Sequence, residues 1–171
     1  MQKQNFVIDK ITESIEDAAN GHSYETDVLF VTSKDLKAVL KKSGWRFNWR
    51  TEAKYPNRQL YKLIIKGDKI IQGLLSLQII ENYIEMHLIE VAPHNYGKAK
   101  KYMGAAGNLV AFACKMSFEL GFEGFVAFTA KTQLIRHYSD SLGATLIFRN
   151  RMSISGEAAK KLVNSYYKNS K

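Results

Sequence analysis

Small residues and lysines are concentrated in one short stretch, residues 98–107, which reads KAKKYMGAAG. Its last four residues, Gly104 to Gly107, would let an anion approach the backbone, and Lys98, Lys100 and Lys101 add positive charge beside them. If a helix begins after this run, its free N–H groups and partial positive charge form an anion site suited to phosphate. A flexible loop with close helix packing would carry the same residues, so the run allows both interpretations. It is neither a P-loop nor the dinucleotide-binding glycine fingerprint.

Cysteine and histidine offer less chemistry. Cys114 is the single cysteine, which excludes an intramolecular disulfide, and it lies among apolar residues, as a packed structural cysteine does. The four histidines lack the close spacing of metal ligands, so no metal is predicted. Aromatic and polar residues alternate from Trp45 to Arg50. They fit either a half-buried strand or a surface that stacks on a ring.

Periodicity and turn residues predict the elements that must position these groups. Predicted helices cover Ile8–Ala19, Lys34–Lys42, Asn108–Leu120, Thr132–Leu142 and Gly156–Lys168. Predicted strands cover Val28–Val31, Trp45–Trp49, Leu60–Lys66, Lys69–Ile80, Tyr83–Val91, Gly124–Thr129, Ala144–Phe148 and Arg151–Ile154. This order predicts an α/β fold of α+β type, in which a mixed central sheet with an antiparallel N-terminal meander is flanked by helices. Because no linker interrupts the chain, residues 1–171 are expected to form a single domain.

The formal net charge is +9. A basic surface attracts anions, so nucleic acid, an acidic protein, an anionic membrane and a phosphorylated cofactor would all gain, although a merely solvated surface is equally compatible. The N-terminal residues lack the apolar core of a signal peptide, and no apolar run approaches the ~20 residues that span a bilayer. A cytoplasmic protein without membrane contact is therefore expected.

Four motifs occur in an order that resembles the GNAT N-acetyltransferase superfamily. They are Val91-Ala92-Pro93 after a strand, the loop Lys101-Tyr-Met-Gly-Ala-Ala106, a strand over Phe125–Phe128, and His137-Tyr138 shortly before Leu142-Gly143. The match spans roughly residues 45–154. Lys101 replaces the arginine or glutamine usual in the family, which keeps the charge but loses bidentate geometry. The loop from Pro93 to Gly104 is also longer than is common.

The resemblance implies that acetyl-CoA is the co-substrate. It would lie where the fourth and fifth strands of the family separate, with its pantetheine paired to the backbone near Ile89 and Val91. The amides of Met103, Gly104, Ala105, Ala106, Gly107 and Asn108 would hold its pyrophosphate beside Lys101. Lys131 stands where the family often has asparagine and is counted with the cofactor-binding residues.

The implied reaction is direct attack of an amine on the thioester, with both substrates held in alignment. An alkyl amine with a pKa near ~10.4 must first lose a proton, and Glu85, His87 and Glu90 lie on the candidate strand. Alternation places Glu85 and His87 on one face and Glu90 on the other. Glu85 and Glu90 are the predicted acceptors of this proton, and Tyr138 would protonate the thiolate that leaves.

The acceptor could be a protein, an aminoacylated tRNA or a small molecule, and the chain could be a monomer or a homodimer. A second hypothesis is a catalytically weak binding module of the same fold that acts through its basic surface on nucleic acid or a protein partner. Lys101 and the long loop keep this alternative open.

Overall fold

A computed structural model describes residues 2–167, in which ten strands and five α-helices occur. The strands are β1 (Ile15–Asp17), β2 (Ser23–Tyr24), β3 (Thr26–Phe30), β4 (Gln59–Ile65), β5 (Ile71–Ile80), β6 (Tyr83–Val91), β7 (Tyr102–Met103), β8 (Val126–Thr129), β9 (Thr145–Phe148) and β10 (Arg151–Ile154). The helices are α1 (Ser33–Ala38), α2 (Trp49–Glu52), α3 (Ala105–Glu119), α4 (Ile135–Leu142) and α5 (Gly156–Tyr166). Short 3₁₀ turns cover Lys41–Ser43, Pro93–Asn95 and Thr132–Leu134.

Seven strands form the main sheet in the order β3-β4-β5-β6-β8-β10-β9. Neighbouring strands are antiparallel except β6 and β8, which run parallel. Tight turns join β4 to β5 and β5 to β6, whereas the parallel pair needs the crossover through α3. The predicted mixed sheet with an antiparallel N-terminal meander is therefore confirmed. A second, three-stranded sheet has the order β2-β1-β7.

Helices cover both faces of the main sheet. On one face, α3 and α5 pack over a cluster that includes Leu75, Ile84 and Ile89. On the other face, a smaller cluster places Trp45 and Trp49 against inward side chains of the meander. The central strands of the main sheet are therefore held between two apolar layers. Within residues 2–167, no helix has both the length and the apolarity needed to cross a bilayer.

The predicted helix over Ile8–Ala19 is wrong. The chain is extended from Gln4 to Thr12, with Gln4, Phe6 and Ile8 buried and their neighbours more exposed, and only β1 is regular within the predicted range. Ser14 has a φ of 63°, which a helix does not accommodate. An isolated helix of this length is marginal in water, so contacts with the sheet determine the conformation instead.

The predicted strand over Trp45–Trp49 is also wrong. The backbone N–H groups of Arg46 and Phe47 donate to the carboxylate of Glu90 rather than to a neighbouring strand, and α2 begins at Trp49. The predicted helix from Lys34 ends earlier, at Ala38. In contrast, the strands Tyr83–Val91 and Arg151–Ile154 have their predicted bounds. The last residue of the predicted C-terminal helix, Lys168, lies outside the described residues.

Candidate active site

Strands β6 and β8 pair only at their beginnings. Within the described residues, the parallel register is restricted to Ile84 with Val126 and Glu85 with Ala127. Beyond these pairs β6 continues to Val91 and β8 to Thr129, so the two strands separate toward their carboxyl ends. Such a crevice at the carboxyl ends of parallel strands is where open α/β sheets bind ligands. The resemblance to the GNAT superfamily predicts that acetyl-CoA lies at this kind of separation between two strands.

A β-bulge at His87 changes which side chains face each layer. Ser76 pairs with Leu88 and Leu77 with Met86, so His87 is the extra residue on β6. Before the bulge Met86 packs in the α3 cluster, and after it Leu88 packs in the cluster of Trp49. Glu85 and Glu90 consequently share the face covered by α1 and α2. The prediction that they occupy opposite faces is wrong because the inserted residue reverses the alternation.

Helix α3 begins at the predicted phosphate-binding turn, three residues earlier than expected. Gly104 is its N-cap with a φ of 90°, a conformation that favours glycine. The amide of Asn108 donates to the Gly104 carbonyl over 2.9 Å, so the amides that point out of the first turn are those of Ala105, Ala106 and Gly107. The Asn108 side chain is buried and donates to the Thr26 hydroxyl over 3.1 Å.

The two glycines of this turn are required by packing. A Cβ on Gly104 would overlap the Thr12 hydroxyl, and a Cβ on Gly107 would lie 2.6 Å from Cζ of Tyr166 in α5 and overlap its hydroxyl. Both glycines therefore allow neighbouring chain segments to approach the helix closely, which was the alternative interpretation of the glycine run.

A cavity of about 390 Å³ lies at the carboxyl-terminal end of β6 and reaches the first turn of α3. It brings together five of the predicted site residues, and its walls also include lysines and residues near the N-terminus. The predicted residues among its lining are Ile89, Glu90, Val91, Ala105 and Ala106. A volume in the range of about 300–1,000 Å³ is typical of pockets for small molecules. A larger groove of about 860 Å³ lies beside α1, and none of the predicted site residues is among the described residues that line it.

Of the predicted basic residues, Lys98 and Lys100 line this cavity, whereas Lys101 and Lys131 are not among the described residues that line it. The Lys100 ammonium is 3.1 Å from the Asp9 carboxylate. Lys101 is exposed, and its N–H donates to the His94 carbonyl over 2.8 Å. The N–H of Lys131 donates to the Gln4 carbonyl over 3.1 Å. Met103 lies in β7, where it pairs with Glu16 of β1.

Tyr138 lies in α4 and contacts Phe6, which lines the cavity, but Tyr138 itself is not among the described lining residues. Its side chain is buried, and its ring contacts those of Phe6 and Phe128 at centroid distances of 4.8 Å and 5.4 Å. Its hydroxyl donates to the Phe6 carbonyl over 2.6 Å. Burial raises the pKa of the Tyr138 phenol, so the group stays protonated at neutral pH and can only donate a proton there.

Both predicted carboxylates are bound by other protein groups. Glu90 accepts hydrogen bonds from the N–H groups of Arg46 and Phe47, from the Trp49 indole over 2.8 Å and from the Tyr96 hydroxyl over 3.1 Å. Glu85 forms a two-pronged ion pair with Arg151, whose Nη1 lies 2.7 Å from Oε2. Glu90 thus fastens the loop before α2 to β6, and Glu85 joins β6 to β10.

His87 and Cys114 are both altered by burial. Burial lowers the pKa of His87 to about 4, with a contribution from nearby Arg58, so the imidazole is neutral at pH 7. One ring nitrogen is 2.9 Å from the Gln78 side-chain oxygen. Burial raises the pKa of the Cys114 thiol to about 12, which leaves it unreactive. Among the described residues, no three His, Cys, Asp or Glu side chains form a group that could hold a metal.

Sequence reasoning missed the residues nearest the N-terminus. Gln4, Phe6 and Asp9 all contact the cleft, although their stretch had been assigned to no site. The available signal was the alternation of Gln4, Phe6 and Ile8, which fits an extended segment with one buried face.

No protein-family model matches the chain, and no curated protein matches it in sequence. The solved structures that are similar to it include the following three. The ribosomal-protein-S18-alanine N-acetyltransferase from Escherichia coli is 14% identical with a TM-score of 0.54, covering 77% of this chain and 97% of its own. A mutant AtaT toxin bound to acetyl-CoA and the C-terminus of the antitoxin AtaR is 12% identical with a TM-score of 0.53, covering 81% and 98%. An acetyltransferase of the GNAT family from Staphylococcus aureus is 11% identical with a TM-score of 0.53, covering 75% and 96%. The chain therefore has the GNAT fold, as the sequence motifs predicted.

Proposed function

We propose that this chain is an acetyl-CoA-dependent N-acetyltransferase that transfers the acetyl group to an amine by direct attack, and that residues 1–171 act as one acyltransferase domain. The observation that carries the proposal is the separation of β6 from β8 beside the first turn of α3, with the Tyr138 hydroxyl bonded to Phe6 at the cavity wall. The fold shared with an N-acetyltransferase and with a toxin bound to acetyl-CoA supports it.

In this proposal the pantetheine of acetyl-CoA lies against the backbone of Ile89 and Val91, which line the cavity. The pyrophosphate is held by the outward amides of Ala105–Gly107, where the helix dipole favours an anion. Lys98 and Lys100 line the same cavity, and Lys101 is exposed on the adjoining loop, so all three favour the negative phosphates. The predicted set of amides, Met103–Asn108, is thereby reduced to three. The Asn108 amide is not available because it donates to the Gly104 carbonyl within the helix.

The chemistry assigned to the site is one displacement. The ammonium first loses one proton to Glu85 or Glu90, directly or through water. The amine nitrogen then attacks the thioester carbonyl carbon, the C–S bond breaks, and the thiolate takes the proton of the Tyr138 hydroxyl. The tyrosinate takes the second proton from the nitrogen of the new amide, which restores the phenol. Since both carboxylates accept hydrogen bonds from protein groups, a water-mediated transfer fits their geometry better than direct contact.

Release of free CoA thiol from acetyl-CoA, measured with a panel of amines, tests the proposal. The panel contains a polyamine, a peptide with a free N-terminal alanine and a lysine peptide. One amine should raise thiol release above the amine-free rate. Tyr138→Phe should lower kcat about 100-fold or more, because general acid catalysis contributes about 10²–10⁴-fold.

The control for this experiment is Tyr55→Phe, which removes the same hydroxyl from a side chain that is 47% exposed and outside the cleft. It should leave the rate unchanged. The proposal fails if calorimetry detects no acetyl-CoA binding at millimolar concentration and no amine raises the rate.

A binding module without significant catalysis is the second candidate. The observation that favours it is that a carboxylate, that of Asp9, already accepts a hydrogen bond from the Gly104 amide at the beginning of α3. With a net charge of +9, such a module would bind nucleic acid. This candidate predicts retention of DNA or RNA that weakens linearly with the logarithm of salt concentration, together with no acetyl-CoA binding.

A further inference from the structure

The N-terminal segment, residues 4–12, lies in the cleft where β6 and β8 separate. The Gln4 N–H donates to the Thr129 carbonyl over 2.6 Å, and the Lys131 N–H donates to the Gln4 carbonyl over 3.1 Å, which forms a parallel bridge at the end of β8. The Gln4 side-chain amide donates to the His87 carbonyl on β6 over 2.6 Å. Gln4 therefore joins both strands at the place where they part.

The middle of the N-terminal segment closes the inner end of the cleft. The Phe6 ring packs against Tyr138, and the Phe6 carbonyl accepts the Tyr138 hydroxyl. The N–H of Ile8 donates to Nε2 of His137 over 2.9 Å. The phenol assigned to proton donation is therefore engaged by the chain itself and turned away from any thioester.

The end of the N-terminal segment places negative charge at the proposed pyrophosphate site. One oxygen of Asp9 accepts from the Gly104 amide over 3.0 Å, and the other is 3.1 Å from the Lys100 ammonium. Thr12 packs against Gly104. Asp9 thus satisfies the kind of partners that a phosphate at a helix N-terminus would use.

We infer that the N-terminal segment is an autoinhibitory plug that competes with acetyl-CoA for this cleft, an inference that rests on the proposed function. Gln4, the Phe6 carbonyl and Asp9 occupy three successive parts of the proposed cofactor path, from the strand edges through Tyr138 to the first turn of α3. Binding of acetyl-CoA requires the segment to leave all three of these parts.

The contacts of the N-terminal segment are incomplete, so a ligand can displace it. The Gln4 side-chain oxygen is buried and accepts no hydrogen bond from any described group, which costs stability. Val7 is 57% exposed, so the segment covers the cleft with one side only. The cavity between the segment and β6 remains open along Ile89 and Val91, so a ligand can enter there before the segment departs.

The test measures acetyl-CoA affinity by calorimetry on the full chain and on Asp9→Asn, which keeps size and removes the charge. If only a fraction of molecules is open, the apparent Kd equals the intrinsic Kd divided by that fraction. Weakening the plug raises the open fraction and should lower the apparent Kd about tenfold. Asp140→Asn is the matched control: its carboxylate is exposed in α4, and the same unit of charge is removed, yet the Kd should not change. Phe6→Ala, checked for folding by circular dichroism, should lower the Kd independently of charge.

Hydrogen exchange identifies the reason for any change in affinity. Saturating acetyl-CoA should accelerate exchange of the amides of Gln4, Ile8 and Lys131 in the parent chain, because their hydrogen bonds hold the N-terminal segment in place. Equal Kd values in all variants, or binding that leaves these three amides protected, would overturn the plug while leaving the proposed function intact. Rapid exchange in Phe6→Ala without any acetyl-CoA binding would overturn both.

Discussion

Glu90→Gln is the substitution that best separates a structural anchor from a general base. Each oxygen of the Glu90 carboxylate accepts two hydrogen bonds: Oε1 from Phe47 and Trp49, and Oε2 from Arg46 and Tyr96. Glutamine keeps the shape but turns one oxygen into an N–H₂ donor. If Oε1 is replaced, the new donor faces the N–H groups of Phe47 and Trp49. If Oε2 is replaced, it faces the Arg46 N–H and the Tyr96 hydroxyl, which can rotate to accept.

The cost follows from these contacts. A hydrogen bond to a charged group is worth about 1.5–3 kcal/mol, so losing one or two predicts a loss of about 1.5–6 kcal/mol in the free energy of unfolding. That is a large part of the roughly 5–15 kcal/mol that holds a domain folded. Glu119→Gln is the control, since this carboxylate is 62% exposed and pairs only with Lys115 at i,i+4 among the described salt bridges. It should cost about 0.5 kcal/mol or less.

Urea unfolding monitored by tryptophan fluorescence measures both variants. The signal reports this region directly, because the chain has two tryptophans and both lie in the cluster that Glu90 anchors. Acetyl transfer is measured on the same samples under conditions where each remains folded. A Glu90→Gln chain as stable as Glu119→Gln but at least tenfold slower in transfer would refute the anchor and identify a base.

Three further predictions concern packing, pH and the single thiol. Gly107→Ala should destabilise the chain by about 1–3 kcal/mol in urea, because overlap with Tyr166 outweighs the ~1 kcal/mol gain in helix propensity; an unchanged midpoint would contradict this packing. His87 has a folded pKa of about 4 against an ordinary 6.5, so the unfolded chain binds the proton first and stability falls as pH drops from 6.5 toward 4. The loss of stability between pH 7 and pH 5 should be smaller in His87→Gln, and equal losses would rule out this contribution. Cys114 should resist alkylation by iodoacetamide in the folded chain and react fully in urea, whereas rapid labelling of the native chain would show that the thiol is accessible.

Much of the fold could be predicted because its signals are local. The alternation and turn residues that define β5 and β6, and the apolar run of α3, depend on neighbours in sequence. The conformation of residues 4–12, in contrast, does not depend on neighbours in sequence. Ile8, Ile11 and Ile15 have helical spacing, yet the segment is extended because partners from β6, β8 and α3, distant in sequence, bind its backbone and side chains.

The site could be located but not detailed from the sequence. The motifs at Val91 and Gly104 indicated the cleft, whereas the bulge at His87 is a property of strand pairing and carries no sequence mark. The roles of the glycines depend on Thr12 and Tyr166, which become neighbours only in the folded chain. The hydrogen bonds that Glu90 accepts from Arg46, Phe47 and Trp49 could not be predicted, because these residues are distant from it in sequence.

A crystal structure of the full chain with saturating acetyl-CoA tests the cofactor site and the plug together. We expect pantetheine along Ile89 and Val91, pyrophosphate at the amides of Ala105–Gly107, and the N-terminal segment withdrawn from Tyr138 and from the first turn of α3. Acetyl-CoA bound elsewhere, or an unliganded cleft in which Asp9 still binds the Gly104 amide at saturating ligand, would contradict it.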